Sequence, residues 1–148
     1  MNLNATYHQQ GIVFQYPDTW ELVEETQSDA RTITVSEAGN FWSLTILHRR
    51  PPVDHVLNEA VAAFQDEYED IDEYPAQAML NGTDAEARHL EFVSIELINC
   101  VFMSAIEAGG KTLFVMAQVT DHERDHYEPI FDAISASIRV DDSEIIIE

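Results

Sequence analysis

A chain of 148 residues, 45% of them hydrophobic, holds enough apolar material for one core and needs no second domain. Its 28 acidic residues against 7 basic ones, with Lys111 the only lysine, give a formal charge of −21 that repels nucleic-acid phosphates and anionic lipid headgroups. Nucleic acid and membrane surface are therefore not expected partners, and the charge reads first as a solvated acidic shell and second as a surface for a basic partner.

In chain order, residues 3–8 predict a short strand and Gly11-Ile-Val-Phe-Gln-Tyr16 a firmer one, β-branched and aromatic, stopped by Pro17-Asp18. Trp20, beside that turn, is expected to plug the end of a core. Residues 31–37 alternate with Ile33 and Val35 inward, and a turn at Gly39-Asn40 leads into a strand over 41–47. Asp54 stands where an N-cap would begin a helix whose apolar face runs Val56, Leu57, Ala60, Val61, Phe64, Tyr68 and Ile71. Residues 75–80, the Asn81-Gly82 turn and a run from 85 into 93 predict a second hairpin. Between Val93 and Asn99 the apolar phase changes with no Gly or Pro, which predicts a bulge or loop.

Lys111-Thr-Leu-Phe-Val-Met-Ala-Gln-Val119 is apolar in both alternating registers, so this strand requires cover on both faces. Gly109-Gly110 joins it by a tight turn to the apolar run at 101–106. Thr120-Asp121 with Glu123 resembles a capping box before a last helix carrying Tyr127, Ile130, Phe131, Ile134 and Ile138. Pro129 predicts that this helix starts near Glu128 or kinks there. Residues 141–148 form an acidic tail whose Ile145, Ile146 and Ile147 are apolar enough to pair with a sheet edge. The domain is expected over 1–140, and the elements describe a small soluble α/β domain.

Chemistry-bearing motifs are few. There is no Gly-x-Ser-x-Gly elbow, phosphate loop, dinucleotide fingerprint or Cys-x-x-Cys, and no cofactor is expected. Cys100 is the only cysteine, and with Val101 and Phe102 beside it a buried, inert thiol is expected. The N-terminus has neither the basic region nor the apolar run of a secretory signal, which predicts a cytoplasmic location. Six acids crowd residues 66–73, a density suited to calcium but without the spacing or turn glycine of an EF-hand, so a solvated helix end is expected. Its Glu67, Asp70, Asp72 and Glu73 are the candidate partner-binding residues. His122-Glu123-Arg124-Asp125-His126 spells the metalloprotease motif, making His122 and His126 the weak metal candidates. The polar pair between the histidines and Pro129 just after them predict a cap before the last helix instead of zinc.

Gly11-Ile-Val-Phe-Gln-Tyr-Pro-Asp-Thr-Trp20, the acidic mid-chain helix, the strand-rich second half and Tyr127-Glu-Pro-Ile-Phe-Asp-Ala-Ile-Ser-Ala-Ser-Ile138 together resemble the PsbP/Mog-like superfamily over nearly the whole chain. That group includes the extrinsic PsbP protein of photosystem II, the Ran-binding Mog nuclear-import factor and many small bacterial proteins of unassigned function. The resemblance implies an α+β fold, an antiparallel β-sheet with helices on both faces in an α/β/α sandwich. In size and acidity the chain also resembles a branch of small cytosolic chaperones for type VI secretion effectors. The function expected from all this is a non-enzymatic protein-binding module, chaperone or adaptor, with a protein partner. The alternatives are a zinc-dependent hydrolase using His122, Glu123 and His126, and a plain intracellular domain whose acidity is environmental.

Overall fold

The computed structural model describes residues 2–140; the acidic tail at 141–148, with its isoleucines and their expected edge pairing, lies outside the described residues. In chain order the elements are β1 (Ala5–Gln9), β2 (Ile12–Tyr16), β3 (Glu21–Thr26), β4 (Ala30–Glu37), β5 (Asn40–Leu47), α1 (Val53–Glu67), β6 (Asp72–Leu80), β7 (Thr83–Ser94), β8 (Leu97–Ala108), β9 (Lys111–Thr120), α2 (Arg124–Ala136) and β10 (Arg139–Val140). Seven strands form one sheet in the order β3-β4-β5-β9-β8-β7-β6, and β1-β2-β10 form a second, small one. Every pairing in both sheets is antiparallel.

The central strand β9 is covered on both faces, as its double apolar register requires. On one side Leu113, Val115, Ala117 and Val119 join Ile33, Val35, Trp42, Leu44 and Ile46 in a core closed by Phe14 of the small sheet and by Tyr127, Phe131 and Ile134 of α2. On the other side Phe114 and Met116 pack against a second cluster in which Leu57 and Val61 of α1 meet Leu90, Phe92, Val101 and Met103. Trp20 is buried against Tyr127 and Phe131 of α2. The fold is thus α+β, with one helix on each face of an antiparallel sheet.

Turn chemistry explains most hairpins. Asn81 and Gly82 both have positive φ (53° and 70°), the conformation a two-residue hairpin turn of this hand requires. Asn81 also accepts a hydrogen bond from the Val140 amide through Oδ1, 3.1 Å away, which ties β10 to the main sheet.

Several local expectations are corrected. Strand β3 was not foreseen, because Glu-Leu-Val-Glu-Glu-Thr has only two apolar residues; it forms through its register with β4, with Leu22 opposite Val35. Pro52, not Asp54, is the N-cap of α1 and no side chain caps it; Asp54 lies in the first turn, where its charge favours the helix dipole. The helix ends before Tyr68, so Ile71 packs on the second cluster from outside it.

At α2 the N-cap is Glu123, with no side-chain capping bond, and the helix runs from Arg124 straight through Pro129. Burying Tyr127, Phe131 and Ile134 brings about 1.5–3 kcal/mol each, which outweighs an internal-proline penalty of about 3 kcal/mol. Asp125, whose carbonyl Pro129 cannot serve, is exposed. Between Val93 and Asn99, where the sequence predicts a bulge or loop, the chain makes a loop and not a bulge: β7 and β8 continue in register to Ser94 opposite Leu97, and the turn is made by Ile95 and Glu96 at φ 52° and 63°.

Candidate functional site

Four large apolar side chains are exposed at the tip of the β7–β8 hairpin: Ile95 at 91%, Val93 at 65%, and Leu97 and Ile98 at 40% each. Side chains alternate along a strand, so Val93 and its partner Ile98 lie on the α2 side of the sheet and Leu97 on the α1 side. The tip is therefore an apolar wedge. Its two turn residues occupy left-handed backbone, and Ile95 is β-branched, a combination that costs about 1–2 kcal/mol relative to glycine.

Acids lie on the segments that flank the strands leading to this wedge. Tyr68, just past α1, stacks on Phe92 with ring centroids 4.1 Å apart, which brings the helix end to the tip. Asp72, the first residue of β6, pairs in register with Glu91. Glu67, Asp70, Asp72 and Glu73 are all exposed on the segment that runs from the end of α1 into β6, and Asp70 also has positive φ (55°). Glu73 reaches Arg88 at 3.4 Å. From the other side the Asp121 amide donates to the Ile98 carbonyl at 2.9 Å, adding the exposed acid Asp121 to the rim. The Asp72 charge, followed by burial and Glu91, pushes the Tyr74 phenol above its usual value.

A cavity of about 480 Å³ lies between α2 and the strands β6 to β9. Its floor is built from small side chains such as Ala76, Ala87, Ser104 and Ala117, with Trp42, Phe102 and Phe131 as aromatic walls. Trp42 Nε1 donates to Ser135 Oγ at 2.9 Å, which fixes the indole and occupies the serine. The polar side of the cavity comprises His89, Arg124, Glu128 and Asp132. Arg124 donates to Glu128 at 2.7 Å, approaches Glu91 at 3.4 Å and lies over the Phe102 ring at 5.2 Å. Burial and then the Glu128 charge push the Asp132 carboxyl up, although its side chain meets solvent at the rim.

The two motif histidines straddle the start of α2. His122 is exposed in the preceding turn with Nε2 3.9 Å from Asp121, and Glu123 accepts a bond from Asn40 at 3.4 Å. Only His126 is helical, edge-on to Tyr127 at 4.8 Å. Sequence reasoning named the acidic residues but missed both the apolar tip and the cavity. A signal for the tip was present: an apolar run that changes phase without a turn residue is what a hairpin with an unfavourable turn looks like.

No family model matches the chain, and no curated protein matches it by sequence. Solved structures do. The chain is similar to LpqN of Mycobacterium tuberculosis, described as involved in cell envelope biogenesis, at TM-score 0.56 and 16% identity, covering 88% of this chain and 83% of that one. It is similar to the cyanobacterial PsbP (CyanoP) of Synechocystis sp. PCC 6803 at TM-score 0.64 and 15% identity, covering 92% and 91%. A third likeness, at TM-score 0.62 and 7% identity, is to a protein of Bacteroides thetaiotaomicron, where 94% of this chain spans 49% of the other. These likenesses bear on the PsbP part of the expected resemblance and not on its Mog part, and the chain has a PsbP-like fold.

Proposed function

We propose that this domain is a non-enzymatic protein-binding module, a chaperone or adaptor working in the cytoplasm, and that it captures a cationic, apolar segment of its partner at the acid-rimmed hairpin tip. The observation that carries this reading is the exposed apolar wedge of Val93, Ile95, Leu97 and Ile98, with Asp121 bonded beside Ile98 and the exposed acids Glu67, Asp70, Asp72 and Glu73 on the segment that packs along the same hairpin. A solvated acidic shell accounts for the charge but not for a strained, 91% exposed isoleucine at a hairpin tip. An apolar anchor within a charged rim is how interfaces divide affinity from steering: burial supplies the free energy and the charges supply the encounter rate. Among the described residues no helix is long and apolar enough to cross a membrane.

The test is binding of three labelled twelve-residue peptides, one alternating Lys with Leu and Ile, one alternating Glu with the same apolar residues, and one alternating Lys with Ser. The first alone should bind, and Ile95→Ser with Leu97→Ser should weaken it at least about tenfold, the loss of two buried apolar contacts. Neutralising Glu67, Asp70, Asp72 and Glu73 together should slow its association. Equal binding of the acidic peptide, or a double variant that binds unchanged, would remove the tip from consideration.

A further inference from the structure

The alternation of β7 puts His89 and Glu91 two residues apart on the face turned toward α2, and the strand register sets Cys100 of β8 directly opposite Glu91. Three side chains of different donor type thus converge from two neighbouring strands. Their nitrogen, oxygen and sulfur atoms all lie within 4.8 Å of one another. His89 is held from both sides, stacked on Phe102 at 4.8 Å and packed against Tyr74 at 5.5 Å. Its Nε2 is shielded from solvent and has no hydrogen-bond partner; Glu91 Oε2 is 3.2 Å away but off the line such a bond needs. Buried side-chain nitrogens without a partner are uncommon and ask for an explanation.

We propose that His89, Glu91 and Cys100 form a binding site for one thiophilic divalent cation of the zinc class. An ion among the three donors gives the orphaned nitrogen a partner for its lone pair. Zinc takes nitrogen, oxygen and sulfur at about 2.0–2.3 Å, which sets neighbouring donors about 3.4–3.6 Å apart. His89 and Glu91, at 3.2 Å, stand slightly closer than that and the three donors lie within 4.8 Å of one another, so the set closes on an ion by small rotations of the side chains. Binding releases one proton, from the Cys100 thiol, and the resulting thiolate with the Glu91 carboxylate neutralises the ion. This is the charge balance that a buried site needs. Arg124 is no obstacle, because its shorter contact is with Glu128 at 2.7 Å, and it keeps that partner when Glu91 turns to the metal. His89 forms part of the cavity wall, so the ion enters from there. Burial holds the Cys100 thiol above its usual pKa and His89 below its own, so the free site carries a neutral imidazole and a protonated thiol. The site is separate from His122 and His126.

The experiment is titration of the untagged full chain with cobalt(II) in excess magnesium, which occupies surface carboxylates and takes oxygen ligands only. A thiolate-to-cobalt charge-transfer band in the near ultraviolet should saturate at one equivalent and be displaced by zinc. Cys100→Ser should abolish the band, and His89→Gln and Glu91→Gln should each weaken binding at least tenfold, with His122→Ala unchanged. Circular dichroism checks that each variant is folded, and Cys100→Ala replaces the serine variant if that one is not. No charge-transfer band in the wild-type chain, or a band of unchanged affinity in His89→Gln, overturns the proposal.

Discussion

Ile95 and Glu96 occupy a turn that Asn-Gly would fill without strain, as Asn81-Gly82 does one hairpin earlier. Replacing Ile95→Asn together with Glu96→Gly should therefore raise stability by about 1–2 kcal/mol, read as a higher denaturant midpoint at unchanged slope. The same variant should bind the cationic apolar peptide more weakly, because the wedge loses its most exposed side chain. Greater stability with lost binding is the signature of strain kept for function. Tyr7 offers a second residue-scale prediction. Its hydroxyl donates to Glu24 at 3.0 Å, and burial first, then that bond, pushes its pKa up to about 12. The folded value lies above the ordinary one of 10.0, so the stabilisation is complete below pH 10 and is lost as pH rises toward 12. In Tyr7→Phe the decline of stability over that window, followed by urea unfolding at a series of pH values, should be shallower than in the parent.

At the scale of elements, α1 and α2 start without side-chain caps and are held by packing. Neither helix has a side-chain bond at its N-cap or a basic residue in its last turn, although Ser137 and Arg139 donate to the Ile134 and Ala136 carbonyls at the end of α2. Leu57 is fully buried in the smaller of the two core clusters, so Leu57→Ala should cost about 2–5 kcal/mol in equilibrium unfolding. Pro129→Ala acts in the opposite direction. It restores a bond to the carbonyl of Asp125 and relieves the ring's clash there, and should stabilise the domain by about 1–3 kcal/mol. A destabilised alanine variant would mean that Pro129 holds a contact that its helical position does not suggest.

For the whole molecule the formal charge of −21 sets two responses of opposite sign. Like charges repel in the compact state, so raising salt from about 10 mM to about 0.5 M should raise the unfolding temperature as the screening length shrinks from about 30 Å to a few ångströms. Over the same range, association with the cationic peptide should slow. The two core clusters consist of hydrophobic side chains, so a strong chelator should leave a cooperative unfolding transition in place, with zinc added back raising its midpoint by mass action. Collapse of the fold in chelator would assign the metal a structural role.

The sequence by itself determined those features whose physics is local or periodic: the Asn81-Gly82 turn, the helical stripe through Leu57 and Val61, the burial of Cys100, and the need of the strand from Leu113 to Val119 for cover on both faces. Each follows from backbone preference or from the spacing of apolar residues along one segment. Only the tertiary structure decided which distant segments meet. It made a strand of Glu21–Thr26 by pairing it with β4, set β10 beside β2 in a separate small sheet, and carried α2 through Pro129 by burying its aromatic face. It also stacked Tyr68 at the end of α1 on Phe92, in the strand that leads to the Ile95 tip, and set Cys100 opposite Glu91 beside His89. The reason is register: a strand's alternation says which residues share a face, but which residue of another strand stands opposite depends on pairings between segments far apart in the chain.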